Sequence, residues 1–113
     1  MDEIVVTSTG GKQSAIEGLF TLVPPHALMA VSKTMKRGSK YGVENWHKIP
    51  IVTTQVGESV DVGELDHALE HCLNFLRGYG EPMEQLTHFA ARALMALDQY
   101  IRDNKINLEE FKG

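Results

Sequence analysis

Proline and glycine punctuate this chain so that three sizeable helices fit between them. Pro24-Pro25 can open the first, because a proline in the first turn lacks only an N–H that a helix leaves unused there. Ala27, Leu28, Val31 and Met35 form its apolar side, and Gly38 and Gly42 loosen or end it. The second helix spans about Val62 to Arg77. Leu65, Leu69, Cys72, Leu73 and Leu76 make its core face, extended by Ala68 and Phe75, and Gly78-Tyr79-Gly80 stops it. The third starts near Pro82 and runs to about Arg102. Its broad apolar arc, rich in alanine, predicts burial against more than one neighbour. Asn107 can cap a short C-terminal helix over Leu108 to Phe111. These signals predict an all-α fold: a small bundle of three main helices plus that short one.

The flanking segments carry weaker patterns. Residues 1–23 read as a flexible or extended arm, with a β-prone run at Ile4-Val5-Val6 and a Ser8-Thr9-Gly10-Gly11-Lys12-Gln13-Ser14 loop. Gly-Gly-Lys lacks the spacing of a phosphate-binding P-loop, so the segment is read as one able to close over a ligand. Residues 49–60 read as a loop with a short hairpin-like excursion. The whole chain, 1–113, is taken as a single domain. Three helices of this length make a thin core, which predicts a homodimer or higher homo-oligomer.

Charge narrows the partners. The formal net charge of -4 disfavours nucleic acid as a partner. No apolar run approaches the roughly 20 residues that cross a bilayer, and no secretory leader pattern opens the chain. The single cysteine, Cys72, makes no internal disulfide framework and fits a reducing, cytoplasmic compartment. Within residues 33–48, however, Lys33, Lys36, Arg37, Lys40 and Lys48 face Glu44 alone, a local balance of +4 against -8 elsewhere. A small basic patch on an acidic body suits a small anionic ligand. Lys33, Lys36, Arg37 and Lys40 share an arc of roughly 100° on the first helix. They lead into a glycine-bounded turn and then Trp46, the chain's one tryptophan. Positive charge, backbone donors and an aromatic face together suit a nucleotide's phosphates and base. Core burial is the plainer reading of Trp46.

The second helix carries two pairs of polar groups one turn apart, Asp66 with Glu70 and His67 with His71. Paired carboxylates can share magnesium or manganese, and histidines at this spacing can also hold a metal. By the helical wheel all four lie away from the leucine face, where polar side chains are commonly just solvated. On the third helix, His88 shares a polar strip with Gln85, Arg92 and Gln99. Asp98, at the edge of the apolar arc, is either the ion-pair partner of Arg102 or a metal ligand. Cys72 reads as plain core.

Phe20-Thr21-Leu22-Val23-Pro24-Pro25-His26-Ala27-Leu28, Arg37-Gly38-Ser39-Lys40-Tyr41-Gly42 with Asn45-Trp46, His67-Ala68-Leu69-Glu70-His71 and Leu86-Thr87-His88 occur in an order and spacing that resembles one phage-encoded family. These are the dATP/dGTP diphosphohydrolase-type proteins, relatives of the MazG-like all-α nucleotide pyrophosphohydrolases. The resemblance covers about residues 8–100. It implies an oligomeric all-α bundle that uses magnesium or manganese to cleave a (deoxy)nucleoside triphosphate to monophosphate and pyrophosphate. In a phage-encoded protein the compartment is the host cytoplasm. The site expected on these grounds has Asp66, Glu70, Glu84 and Asp98 at the metal. Lys36, Arg37, Lys40, Tyr41, Asn45 and Trp46 would meet substrate, and His67, His71 and His88 would move protons. Tyr79 and Gln85 stand where many relatives carry an acid and a histidine. The alternative is therefore a catalytically degenerate nucleotide-binding or interaction protein.

Overall fold

The computed structural model of the chain describes residues 3–15, 18–42 and 45–113, which pack as two compact units. The smaller comprises residues 1–25 with 107–113, and the larger residues 26–106. In the smaller unit, β1 (Ile4–Val6) pairs antiparallel with β2 (Lys12–Ser14), Val5 opposite Gln13. Thr7 closes the turn: its hydroxyl accepts from the Gly11 N–H at 2.9 Å, and its carbonyl from the Gly10 N–H at 3.0 Å.

The larger unit holds α1 (Pro25–Gly38), a hairpin of β3 (Thr54–Val56) and β4 (Ser59–Asp61), then α2 (Glu64–Arg77) and α3 (Pro82–Asp103). Three helices appear where proline and glycine place them, but the chain is not all-α. Two antiparallel two-stranded sheets accompany the helices. Each strand is three residues long and exposed throughout, so β-branched residues and a tight turn, rather than a buried face, support it. The short C-terminal helix is also absent. Asn107 Oδ1 accepts from the Glu109 N–H at 3.0 Å and closes a turn that does not propagate.

The start of α2 is fixed by the segment before it. Pro50 and Ile51 carbonyls accept from the Glu64 and Leu65 N–H groups at 2.8 and 3.1 Å, satisfying two donors that a helix N-terminus leaves open. The Thr53 hydroxyl accepts from the Gly63 N–H at 3.0 Å and donates to Asp66. The crossing is so close that a Cβ on Gly63 would stand 2.5–2.7 Å from backbone atoms of Ile51, Val52 and Thr53. At the other end Gly78 adopts φ +74° and the Tyr79 N–H reaches the Asn74 carbonyl at 2.8 Å, the αL stop that glycine allows.

The pairing of α2 with α3 departs from the leucine-face expectation. The buried residues of α2 are Glu64 and Ala68, and those of α3 are Ala91 and Ala96. Leu65, Leu69, Leu73 and Leu76 are 43–72% exposed. Alanines let the helix backbones approach, and the seam they flank is polar. The leucine stripe stays largely uncovered by the described residues. Val31 is the largest of the buried apolar residues, so the core is as thin as three helices imply. No helix among the described residues is long and apolar enough to cross a membrane.

Candidate nucleotide site

The end of α1, the turn beyond it and the inward face of α3 enclose a cavity of about 470 Å³. Local backbone chemistry shapes it. The Ser39 hydroxyl donates to the Lys36 carbonyl at 2.6 Å as α1 gives way to a 3-10 turn over Ser39–Tyr41. Gly42, at φ +103°, then redirects the chain in a conformation that a side chain would strain. A second 3-10 turn, Asn45–Lys48, carries Trp46 back to the cavity.

Four of the residues singled out in the sequence meet here. Lys36, Asn45, Trp46 and His88 all line the cavity, with Ala91 and Met95 among the apolar groups beside them. The Arg102 guanidinium lies 5.8 Å from the Trp46 ring and donates to His47 Nε2 at 2.9 Å, holding the segment from behind. Others stand apart. Arg37 pairs with Glu84 at 3.5 Å, both exposed. Lys40 is exposed and does not line the cavity. The side chain of Tyr41, and all of Glu44, lie outside the described residues.

The histidines divide. His71 is half-buried, its ring 5.0 Å from that of His88. Its Nδ1 meets Gln85 Oε1 at 2.9 Å. A carboxamide oxygen only accepts, so the His71 Nδ1 is the donor in this bond. Burial pulls His88 below the ordinary histidine range, and the positive charges of His71, Arg37 and Arg92 pull the same way against Glu84. A neutral imidazole thus faces the cavity near pH 7. His67 lies elsewhere, in a second cavity of about 380 Å³ that also meets Lys48, Asp61 and Arg92.

The expected metal ligands do not converge. Asp66 accepts from Thr53, Glu84 pairs with Arg37, and Glu70 is exposed on α2. Asp98 pairs with Arg102 at 3.0 Å, the ion-pair reading of that residue. Among the described residues no three His, Cys, Asp or Glu side chains come together as a cation would require. The described donor set of a single chain therefore does not form a three-ligand site for a divalent metal.

No spacing in the sequence singles out Glu64, and Arg92 stands there only as one residue of a polar strip. Glu64 is fully buried, and Arg92 Nη1 donates to both its carboxylate oxygens at 3.1 and 3.2 Å. A signal existed in Gln85, His88, Arg92 and Gln99, spaced three, four and seven apart and flanked by Ala91 and Ala96. A polar strip bordered by alanines marks a close seam better than a solvated face.

Fold and cavity together define a small, helix-dominated domain with a basic, tryptophan-walled pocket. The family model of the dATP/dGTP diphosphohydrolase N-terminal domain matches residues 7–109, and the chain belongs to that family. Its name is that of a nucleotide hydrolase, and the match is to the N-terminal domain. No curated protein and no solved structure matches the chain.

Proposed function

We propose that the 470 Å³ cavity binds a purine deoxynucleoside triphosphate and that the chain hydrolyses it to monophosphate and pyrophosphate. The convergence of Trp46, Asn45, Lys36 and His88 on one cavity carries this reading, with family membership behind it. Trp46 supplies a face for the base, an interaction worth about 1–3 kcal/mol where it has been isolated. Asn45 offers a donor and an acceptor to a purine edge. Lys36 sets positive charge against the phosphates. His88, neutral near pH 7, accepts a proton from water as the water oxygen bonds to the α-phosphorus. The bond from that phosphorus to the bridging oxygen breaks, and pyrophosphate leaves with its electron pair. Magnesium or manganese arrives with the triphosphate, as part of the substrate.

Pyrophosphate release from the eight common ribo- and deoxyribonucleoside triphosphates, with magnesium or manganese and with EDTA, tests this. Release from dATP and dGTP that EDTA abolishes is the expected result; silence across the panel ends the hydrolase reading. The non-convergence of Asp66, Glu70, Glu84 and Asp98 favours a second reading, a nucleotide-binding protein without turnover. In that case nucleotides quench Trp46 fluorescence and no pyrophosphate appears.

The same chain is proposed to pair with a second copy through its leucine stripe. Leu65, Leu69, Leu73 and Leu76 on α2, with Met83, Leu86, Leu94 and Leu97 on α3, are all 42% exposed or more. At on the order of 100 Å² each they approach the roughly 800 Å² per partner that a specific interface buries. Sedimentation of the full chain reads the outcome directly.

A further inference from the structure

Arg92 lines both cavities, as does Ile49, so the two residues form part of the wall between them. An arginine at such a place ordinarily samples many rotamers. This one is tied at Nη1 to both oxygens of Glu64. Glu64 is itself immobile: fully buried, with its N–H held by the Pro50 carbonyl at 2.8 Å. Both bonds leave from Nη1, so among the described residues Nε and Nη2 remain for a second anion. That fork matches two phosphate oxygens. A buried ion pair adds little stability compared with apolar residues of the same size. Its position between two cavities is better explained by the guanidinium it orients.

The far side of that wall is basic as well. Lys48 and His67 line the second cavity with Arg92, and Asp61, at its β4 edge, is the one acid there. We propose that the second cavity is the pyrophosphate subsite. Arg92 is the charged residue it shares with the nucleotide cavity, and Glu64 is the positioning residue that aims Arg92. The base and sugar occupy the first cavity, the terminal phosphates pass Arg92, and the leaving pyrophosphate lies against Lys48 and His67. This placement rests on the hydrolase reading above, and it makes a claim of its own, that the two products occupy different cavities.

Inorganic pyrophosphate, titrated calorimetrically into the full chain, is the direct probe. The wild type is expected to bind it. Arg92→Lys, which keeps the charge but loses the fork, weakens binding tenfold or more. Glu64→Gln weakens it less, and Lys48→Ala, an exposed position that folding does not depend on, also weakens it. A deoxynucleoside monophosphate binds Lys48→Ala, which lies outside the nucleotide cavity, as it binds wild type, a split that general unfolding would not produce. Pyrophosphate affinity unchanged in both Arg92→Lys and Lys48→Ala overturns the subsite. So does mutual exclusion of pyrophosphate and monophosphate, or no pyrophosphate binding by wild type. Turnover assays separate the two ideas. Turnover with Arg92-independent pyrophosphate binding sinks the subsite alone, whereas Arg92-dependent binding without turnover sinks the hydrolase alone.

Discussion

The two sides of the α2–α3 pair invert the usual arrangement of a small helical protein. Toward each other the helices present Glu64, His71, Gln85, His88 and Arg92 between alanines. Away from the seam α2 presents Leu65, Leu69, Leu73 and Leu76. Burying charge and exposing leucine is unfavourable on both counts for an isolated chain. The difference teaches that neither face is arranged for the stability of an isolated chain. A protein selected only for stability as a monomer would exchange the two.

The sharpest way to break that contrast is to remove one half of the buried pair. Arg92→Leu leaves the Glu64 carboxylate buried without a partner and should cost about 3–5 kcal/mol, read by urea unfolding. Replacing both, with Glu64→Leu and Arg92→Leu together, should restore most of that loss, since an apolar pair can fill the same space. If the double variant stays as unstable as the single one, the seam is structural after all. On the other side, Leu69→Glu with Leu73→Glu should convert a dimer to a monomer by sedimentation and leave the helices intact by circular dichroism. Wild type sedimenting as a monomer would remove the partner from the explanation.

Two further substitutions sharpen the seam rather than break it. Gly63→Ala forces a Cβ against the backbone of residues 51–53 at the start of α2, the turn that directs Glu64 inward. Overpacking of this kind costs about 1–3 kcal/mol, and the expected shift is in the urea midpoint without a change in slope. Trp46→Ala removes the base-stacking face and should raise nucleotide Kd by about tenfold, a loss of about 1.4 kcal/mol. The affinity for inorganic pyrophosphate should not move.

How much of this was legible follows from which signals are local. Pro25, Gly38, Gly78 and Pro82 act within a turn of themselves, so helix boundaries could be read directly. Lys36, Asn45 and Trp46 lie within eleven residues, and their meeting in one cavity could be anticipated from that nearness. The hairpins were legible only in part: Ile4-Val5-Val6 is β-prone and residues 49–60 suggest a hairpin-like excursion, but strands such as Lys12-Gln13-Ser14 and Thr54-Gln55-Val56 bury nothing and leave no alternating pattern. The Glu64–Arg92 pair joins positions 28 apart on different helices, and no spacing within either helix announces it. The leucine stripe misled for another reason. Periodicity shows that a face is apolar, and it is silent on whether the partner belongs to the same chain.

His88 gives the smallest effect and the finest test of the seam's polarity. Its pKa in the folded protein is lowered, first by burial and then by the positive charges of His71, Arg37 and Arg92. In the unfolded chain it returns to about 6.5. Between the lowered value and 6.5 the unfolded state therefore binds more protons, and linkage makes stability rise with pH across that window. Above it both states are neutral at this ring and its contribution is flat. Below the folded value both are protonated and the penalty is complete. His88→Gln should flatten the slope of the urea midpoint in the window just below about pH 6.5. Under the proposed chemistry the same window governs turnover, because a protonated ring cannot take the proton from water. Activity should rise as pH passes through the lowered value, with its midpoint below that of a free histidine. An activity midpoint above 6.5 would mean that the proton acceptor is another group, and that the desolvated face of the seam binds the nucleotide without cleaving it.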